Sequence, residues 1–408
     1  MPTDRLTPLL QERLDELSGS GRLKGAESVT RGVVPPTGGK GPRFLIEGCG
    51  DTPFLRMNSN SYLGLTFDAR VAAAEEEAVR RYGTGPGAVR FISGTWAPHV
   101  ALEERLARFH GREAAMLFSS AYATVMGTLA PLITPRTAVI SDALNHSCII
   151  NAIALARPED KRIYDHLDME HMEQCLDPAG RISLRGILVT DGVFSMRGDH
   201  APLDKIMKIA SVYNADFEEN LIVVADDSHG VGAFGATGRG TEEVTGCAGV
   251  DLLVGTLGKA FGVNGGYVVG NKTIIAHLRE TSPFYIYSNP ITPAEAEAAC
   301  VAIDRLDSEH GRALLAHLRI MTARFRDGIK RLGLETVAGE HPVVPLLVRD
   351  TERTRRLVDH LRANAILATG LNYPVVPKGE EEIRFQISAD HTTADIDEAL
   401  NVLSRFAG

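Results

Sequence analysis

The sequence predicts an α/β fold: a mostly parallel β-sheet with helices on both faces, followed by a smaller α+β domain. The first observation is that helical patterns alternate with short β-rich runs at 115–118, 138–141, 186–190, 221–225 and 251–255. The second is a change of rhythm near the end of the chain, where long helical patterns at 292–332 and 352–363 accompany strand-like runs at 343–348 and 383–387. With 408 residues, the chain is long enough for one large core and a smaller second core.

The first 45 residues are expected to form a helical arm. Leucines recur at helical spacing from Leu6 to Leu17, and the pattern ends at a Ser/Gly cluster, residues 18–21. A Gly/Pro-rich segment, 33–43, leads into the large domain and matches no motif. Because the arm has too little apolar surface for its own core, we expect it to pack on another domain or on a partner subunit. The predicted units are therefore 1–45, 46–290 and 291–408.

The last helix is predicted from its capping residues. Thr392 and Asp395 are spaced as a capping box, and Ile396, Leu400 and Leu403 follow at helical spacing. We therefore expect this helix to begin directly after Thr392.

Composition narrows the classes of function. A formal net charge of −9 argues against a broad nucleic-acid or anionic-membrane surface. The five cysteines are scattered and form no CxxC pair, so neither a disulfide framework nor a zinc site is predicted. No run has the apolar length of a signal peptide or a membrane span. We expect a cytoplasmic protein with reduced thiols, no metal, and a local pocket for any anionic ligand.

The run 221–225 ends in polar residues at the edge where parallel sheets bind ligands. Asp226, Asp227, Ser228 and His229 follow it directly. A carboxylate in this place can keep a pyridinium nitrogen protonated, so that the ring acts as an electron sink. A metal-binding or structural acid at a strand end explains this segment equally well.

The run 251–255 leads into a glycine-rich turn that carries Lys259. A phosphate-binding P-loop would need glycine five residues before the Gly–Lys pair and Ser or Thr after it, but Leu253 and Ala260 stand there. A lysine among small residues beyond an apolar strand suits a lowered pKa and Schiff-base formation. Taken alone, a solvated turn lysine is the simpler explanation.

Weaker signals lie in three other loops. His146 follows the run 138–141 and could stack on a flat cofactor ring, although a single histidine is more often structural. The segment 190–196 (TDGVFSM) offers a hydroxyl donor at a strand end, and the segment 118–124 (FSSAYAT) could present a helix N-terminus to a phosphate. Serine and glycine clusters are common in loops, so these segments gain weight only beside the others.

With these residues in view, the chain resembles the α-oxoamine synthases, a family of fold-type I pyridoxal-phosphate enzymes, over nearly its whole length. Within that family it is nearest to the 2-amino-3-ketobutyrate CoA ligases, or glycine C-acetyltransferases. The matching segments are 60–65 (NSYLGL), 89–95 (VRFISGT), 141–146 (SDALNH), 191–196 (DGVFSM), 226–229 (DDSH), 255–260 (GTLGKA) and 373–379 (YPVVPKG).

The resemblance implies a fold-type I transferase with pyridoxal 5′-phosphate as cofactor and with Lys259, His146, Asp226 and His229 as catalytic residues. The implied cofactor contacts are Lys259 as the Schiff-base lysine, Asp226 at the pyridinium nitrogen, His146 stacked on the ring, His229 and Ser195 at the ring hydroxyl, and Ala121, Tyr122, Thr256 and the partner subunit's Ser288 at the phosphate. A homodimer with shared active sites follows from the same resemblance.

The resemblance also implies the substrates. Asn60 and Arg384 would hold the amino-acid carboxylate, a task that suits the planar fork of arginine. An amino acid, most simply glycine, would displace Lys259, and the freed lysine would remove its α-proton. The resulting carbanion would attack acetyl-CoA or another acyl-CoA and release coenzyme A. The product would be 2-amino-3-ketobutyrate, or a decarboxylated ketone as in other branches of the family.

Two further features depart from the ketobutyrate ligases. Ala123, Thr124 and Val125 stand where those enzymes have Asp-Ala-Asn, which weakens any inference about the acyl group. The acidic stretch 216–220 is expected to be a surface insertion.

Three other functions are compatible with parts of this sequence. An α-oxoamine synthase with a longer acyl-CoA or another amino acid, possibly with decarboxylation, is one. A fold-type I transaminase or lyase is the second. The third is a non-catalytic subunit on the same scaffold, but such a subunit is expected to have lost Lys259.

Overall fold

The computed structural model describes residues 3–20, 22–23, 27–373 and 375–406. Its α-helices are α1 (Leu6–Gly19), α2 (Ala69–Tyr82), α3 (Ala97–Phe109), α4 (Ala121–Leu132), α5 (Ser147–Ala156), α6 (Met169–Ala179), α7 (Leu203–Tyr213), α8 (Thr241–Thr245), α9 (Lys272–Thr281), α10 (Pro283–Ile286), α11 (Pro293–Leu306), α12 (Glu309–Arg331), α13 (Thr351–Ala363) and α14 (Thr393–Ser404).

The strands form three sheets. They are β1 (Thr30–Val34), β2 (Arg43–Ile46), β3 (Pro53–Arg56), β4 (Ala114–Phe118), β5 (Thr137–Asp142), β6 (Asp160–Tyr164), β7 (Arg185–Asp191), β8 (Leu221–Asp226), β9 (Leu252–Thr256), β10 (Gly266–Gly270), β11 (Glu335–Thr336), β12 (Val343–Leu347), β13 (Ile366–Leu367), β14 (Thr369–Leu371) and β15 (Glu382–Gln386).

The central sheet has seven strands in the order β4-β10-β9-β8-β7-β5-β6. All pairs are parallel except those of β10, which runs antiparallel to both β4 and β9. The five predicted runs are confirmed as β4, β5, β7, β8 and β9, each with bounds within one residue of the prediction. Strands β6 and β10 were not predicted. The burial of β6 alternates, and β10 begins and ends with glycine, so neither is a continuous apolar run.

Both faces of the central sheet are covered, as predicted. On β7, Leu188 packs into one apolar core, whereas its neighbours Ile187 and Val189 pack into a second core. Helices α3, α6, α7 and α11 contribute to the first core, and α4, α5 and α9 contribute to the second. Strands buried on both faces are expected to be apolar throughout, and this explains why they were recognisable in the sequence.

The C-terminal part has its own antiparallel sheet, in the order β11-β12-β15-β14, packed with α12, α13 and α14. The predicted run 292–332 is not one helix, because α11 ends at Leu306 and α12 begins at Glu309. Ser308 starts the new helix by accepting a hydrogen bond from the backbone N–H of Gly311 (3.4 Å). The predicted capping box is confirmed, with Thr392 N–H donating to Asp395 Oδ2 at 2.8 Å.

The N-terminal segment is more than a helical arm. β1 and β2 form an antiparallel pair, so most of the unassigned segment 33–43 is the turn of a hairpin. β3 joins this pair to β13 of the C-terminal part. Helix α1 forms as predicted, but none of its residues is buried against the described chain. The expectation that it packs on another domain is therefore wrong for this chain alone, and packing on a partner subunit stays a prediction.

The acidic stretch 216–220 lies at the surface, apart from one residue. Phe217 is buried against the start of the central sheet, beside Gly186. Among the described residues, no helix is long and apolar enough to cross a membrane.

Candidate active site

A cleft lies at the carboxyl ends of the parallel strands and collects most of the predicted site. Seven of the nine predicted cofactor residues line it, together with four neighbours. The lining residues are Ala121, Tyr122, His146, Cys148, Asp191, Val193, Ser195, Asp226, Ser228, His229 and Lys259. Because a parallel sheet brings its strand ends together, residues far apart in sequence meet here.

The two adjacent aspartates at the end of β8 have different environments. Asp226 lines the cleft, and its Oδ1 accepts hydrogen bonds from Ser228 N–H (3.1 Å) and Oγ (2.6 Å). Asp227 is fully buried and accepts from Thr241 N–H (2.7 Å) and Oγ1 (2.6 Å). Asp226 is thus the carboxylate available to a ligand, whereas Asp227 fixes the loop behind it.

Lys259 reaches the cleft from the turn after β9. No described residue accepts a hydrogen bond from its amino group, and burial lowers its pKa to about 8, although the charges of Asp226 and Asp191 oppose this shift. The turn is fixed by Thr256, whose Oγ1 donates to Gly265 O (3.2 Å) and accepts from Gly258 N–H (3.1 Å). A neutral amine is the nucleophilic form of lysine, so this environment favours reaction with a carbonyl group.

His146 is oriented by the N-terminus of α5. Its Nδ1 accepts from the backbone N–H of Cys148 (3.2 Å), and burial lowers its pKa, so the neutral ring carries its proton on Nε2. The Cys148 thiol lies 2.9 Å from the same nitrogen and donates to Asp226 Oδ2 at 3.6 Å. Asp191, beside Asp226 in the sheet, accepts from His146 N–H at 3.0 Å. Burial, with the nearby Asp226, raises the pKa of Asp191 well above its usual range.

His229 is held from two sides. Its Nδ1 lies 2.7 Å from the hydroxyl of Tyr62, a fully buried residue whose pKa burial raises. Burial, and then the charge of Lys259, lowers the pKa of His229 well below its usual range. The backbone of His229 is fixed by His341 Nε2, 2.9 Å from its carbonyl oxygen. A neutral His229 that accepts from Tyr62 at Nδ1 carries its proton on Nε2.

Helix α4 starts at the cleft. Ser120 caps it by accepting from Ala123 N–H at 3.1 Å, and the N–H groups of Ala121 and Tyr122 have no acceptor within the helix. The helix start lies against β10, where a Cβ on Gly266 would stand 2.4 Å from Ala121 N. Thr124 and Val125, two of the three residues that differ from the ketobutyrate ligases, are buried in the packing of helix α4. The exposed amides form a position for an anion.

The predicted carboxylate anchors lie near the cleft but do not line it. Arg384 on β15 donates from Nη1 to Ser195 O at 3.1 Å. Gln386 lies two residues further along β15 and contacts Asn60 at 3.3 Å. When the side-chain amide of Gln386 is rotated so that its oxygen and nitrogen exchange places, the oxygen accepts hydrogen bonds from Arg384 Nη2 (2.7 Å) and Nε (2.8 Å). Asn60 and Arg384, distant in sequence, are therefore joined through Gln386.

The cleft fits pyridoxal phosphate. It offers a partly neutral amine for the aldehyde, a buried carboxylate for the ring nitrogen and free helix amides for the phosphate. Two predicted contacts are not in it: Thr256 is buried in its own turn, and Ser288 bonds weakly to Asn289 O (3.5 Å) away from the cleft. Contact between the partner subunit's Ser288 and the phosphate stays a prediction.

The sequence motifs did not single out Asp191, Tyr62, Cys148 or Gln386 as site residues. Asp191 carried a usable signal, since it follows a strand end just as Asp226 does. Tyr62 and Cys148 each lie two residues after a predicted residue, Asn60 and His146, but nothing in the sequence singled them out. The position of Gln386 depends on the packing of the C-terminal part.

Comparisons with known proteins agree with this geometry. A family model for aminotransferases of class I and II matches residues 52–403. 8-Amino-7-oxononanoate synthase 1 from Bacillus velezensis is 39% identical over 371 residues, which cover 90% of this chain and 91% of the relative. Mitochondrial 2-amino-3-ketobutyrate coenzyme A ligase from Bos taurus is 37% identical over 395 residues, which cover 96% of this chain and 90% of the relative. Serine palmitoyltransferase from S. paucimobilis, solved with bound PLP and myriocin, matches with a TM-score of 0.86 and 26% identity, covering 98% of this chain and 97% of that one.

Proposed function

Because the chain belongs to the class I and II aminotransferase family and, within it, to the pyridoxal-phosphate-dependent α-oxoamine synthases, we propose that it condenses glycine with acetyl-CoA. The products are 2-amino-3-ketobutyrate and coenzyme A. The observation that carries this proposal is the cleft itself, in which Lys259 shares one cavity with Asp226, His146 and His229. The choice of acetyl-CoA is supported by the similarity to the Bos taurus ligase over 96% of the chain and by the segment 373–379, of which Pro374 lies outside the described residues.

Each residue of the cleft has a task in this reaction. Pyridoxal phosphate, when bound, supplies an electron sink that stabilises a carbanion at the amino acid's Cα. Asp226 holds the proton on the ring nitrogen, and the amides of Ala121 and Tyr122 bind the phosphate. Nε2–H of His229 is free to donate to the ring hydroxyl, since Tyr62 occupies Nδ1. Arg384 binds the substrate carboxylate.

Lys259 moves the proton. With a pKa lowered to about 8, its amine is a usable base near neutral pH once glycine has taken its place on the cofactor. It removes a proton from Cα, which then forms a bond to the thioester carbonyl carbon. The C–S bond breaks, and the protonated lysine can return its proton to the coenzyme A thiolate.

The assay of this proposal is glycine-dependent release of coenzyme A from acetyl-CoA, with the product identified by mass. Release that needs glycine and yields 2-amino-3-ketobutyrate supports it. Release that needs a different amino acid, or a product lighter by carbon dioxide, would place the enzyme in another branch of the family.

The lowered pKa of Lys259 predicts how the cofactor-free protein recovers its cofactor. A pKa below the usual lysine value favours the neutral amine, so the rate of binding to pyridoxal phosphate should rise with pH and level off above about 8. At pH 7 about a tenth of the amine is neutral. Stopped-flow absorbance between pH 6 and 10 measures this rate, and a midpoint near the ordinary lysine pKa would contradict the environment described for Lys259.

Replacement Arg384→Leu is expected to weaken glycine binding far more than it weakens cofactor binding. Loss of the guanidinium removes the proposed partner of the substrate carboxylate, and KM for glycine should rise at least about tenfold. Steady-state kinetics measures the change. Arg324→Leu is the control, because Arg324 pairs with Asp397 at the surface (2.7 Å) and should leave KM unchanged. An unaltered KM in the Arg384 variant would mean that another residue holds the carboxylate.

We also propose that the active enzyme is a cytoplasmic homodimer. Large apolar side chains are exposed in the single chain, including Phe91 (63%), Ile92 (64%) and Tyr287 (80%), and a partner subunit would cover them. Helix α1 also presents an exposed leucine stripe. The five cysteines are free thiols, as expected in a reducing compartment. The mass of the protein in solution is the direct check of the dimer.

A further inference from the structure

A second cavity lies beside the active-site cleft and has a volume of about 370 Å³. The two cavities share Ser195 in their walls. The lining residues of the second cavity are Leu144, Phe194, Ser195, Met196, Arg197, Val337, Leu347, Arg349, Val375, Val376, Pro377, Glu380 and Glu382. Its size lies within the usual range of ligand pockets, about 300–1,000 Å³.

The cavity begins where an acyl donor must approach the amino acid. Ser195 carries the carbonyl oxygen that accepts from Arg384, the proposed partner of the substrate carboxylate. On the other side, Leu144 precedes His146 by two residues, in the same loop. A group joined to Cα of the amino acid, above His146 and beside Arg384, therefore has this cavity next to it.

The walls favour an uncharged chain. Most lining side chains are apolar, and the two arginines are already paired. Arg197 Nε donates to Asp199 Oδ2 at 2.9 Å, and Arg349 Nε donates to Glu335 Oε2 at 3.1 Å. Each of these arginines therefore already faces a carboxylate, and a second carboxylate on the ligand would have to compete for it.

Glu382 adds a reason to exclude an acidic chain. It lies two residues before Arg384 on β15, so alternation places it on the same face of the strand, and it is 3% exposed. Its buried Oε1 has no hydrogen-bond partner among the described residues. Burial raises its pKa to about 8, so that it is largely neutral at pH 7. A carboxylate at the end of an acyl chain would be desolvated here, and the two cations that act on Glu382 are already engaged: Arg197 faces Asp199, and Arg384 is the proposed partner of the amino-acid carboxylate.

We propose that this cavity is the acyl subsite, and that it admits uncharged acyl chains longer than acetyl while rejecting chains that end in a carboxylate. The inference rests on the proposed function for the acyl transfer itself. The methyl group of an acetyl donor would fill only a small part of a cavity of 370 Å³. The remaining space is large enough for further methylene groups of a longer acyl chain.

The test compares acetyl-CoA, heptanoyl-CoA and pimeloyl-CoA with glycine as acceptor. The last two have acyl chains of equal length and differ by the terminal carboxylate. We expect kcat/KM for heptanoyl-CoA to equal or exceed that for acetyl-CoA, and to exceed that for pimeloyl-CoA at least about tenfold. Activity with acetyl-CoA alone, or a preference for pimeloyl-CoA, would overturn the proposal.

Two variants connect the result to the cavity. Val337→Trp fills the cavity and should lower the heptanoyl-to-acetyl ratio of kcat/KM at least about tenfold. Glu382→Lys adds a cation and should raise the pimeloyl-to-heptanoyl ratio by a similar factor, about tenfold. Ratios measured on one preparation do not depend on how much of a variant is folded. Val212→Trp is the matched control, since Val212 on α7 is 71% exposed and does not line the cavity.

The outcomes separate the two proposals. If no acyl-CoA releases coenzyme A in the presence of glycine, the proposed function fails. If acetyl-CoA reacts, and the kcat/KM ratios of the Val337→Trp and Glu382→Lys variants equal those of the Val212→Trp control, the proposed function stands and the acyl subsite is elsewhere.

Discussion

Replacement Lys259→Ala is expected to abolish turnover, with glycine-dependent release of coenzyme A falling at least about 10⁴-fold. The loss combines two roles, because the same amine binds the cofactor covalently and then acts as the base at Cα. Lys259 is half-buried in the turn after β9, and no described residue accepts a hydrogen bond from its amino group. Among the residues that line the cleft, Lys259 is the only lysine, so no second lysine there can replace it. Release of coenzyme A, followed by absorbance with a thiol reagent, measures the effect.

The control for this variant is Lys272→Ala. Lys272 begins α9 at the surface and should be replaceable without loss of activity. If the Lys259→Ala enzyme kept a rate within tenfold of the parent, Lys259 would be neither the attachment point nor the base.

Replacement Asp226→Asn is expected to lower kcat about 10²–10³-fold with little effect on stability. The amide keeps the shape of the side chain but removes the charge that holds a proton on the ring nitrogen, so the cofactor becomes a poor electron sink. Asp226 lies in the cleft wall, where its partners are Ser228 (2.6 Å) and Cys148 (3.6 Å). Steady-state rates at saturating glycine and acyl-CoA give the comparison.

The neighbouring aspartate provides the matched variant. Asp227→Asn replaces one of the two fully buried oxygens that accept hydrogen bonds from Thr241 with an NH2 group, which cannot accept, so it should lower the melting temperature and alter kcat much less. The reverse pattern, with Asp226 affecting stability and Asp227 affecting kcat, would mean that the two carboxylates have exchanged roles.

The central sheet was predictable because its strands are buried on both faces. Val223 and Val224 enter different cores, so β8 had to be apolar throughout and could be recognised as a continuous run. Strand β10 escaped prediction because its ends are glycines, one of them forced by the close approach of Ala121. The antiparallel direction of β10 depends on how the chain connects the strands, and a local sequence pattern does not show this.

The same contrast holds for the site. Asp226 ends β8, and Lys259, His146 and Ser195 lie in the loops after β9, β5 and β7, so the strand-end rule together with the family resemblance located them. The resemblance alone pointed to Asn60 and Arg384, and the structure adds Gln386 between them. Tyr62 is a different case, since its contact with His229 joins residues 167 positions apart and depends on the N-terminal loop folding over β8.

The acyl cavity could not be predicted from sequence at all. Its walls come from four separated parts of the chain, and the role of Glu382 depends on the absence of a hydrogen-bond partner for Oε1 among the described residues. The sequence of β15 shows a strand in which polar residues alternate with apolar ones, but it does not show which cavity the polar side chains line.

The most direct test of the central claim is to reduce the cofactor-loaded enzyme with borohydride and to locate the pyridoxyl phosphate by peptide mass spectrometry. Reduction makes the link between lysine and cofactor permanent. One modified peptide is expected, with the added mass on Lys259. When glycine is present in excess before reduction, Lys259 should carry no added mass. A modification on a different lysine, or no modification of protein saturated with pyridoxal phosphate, would contradict it.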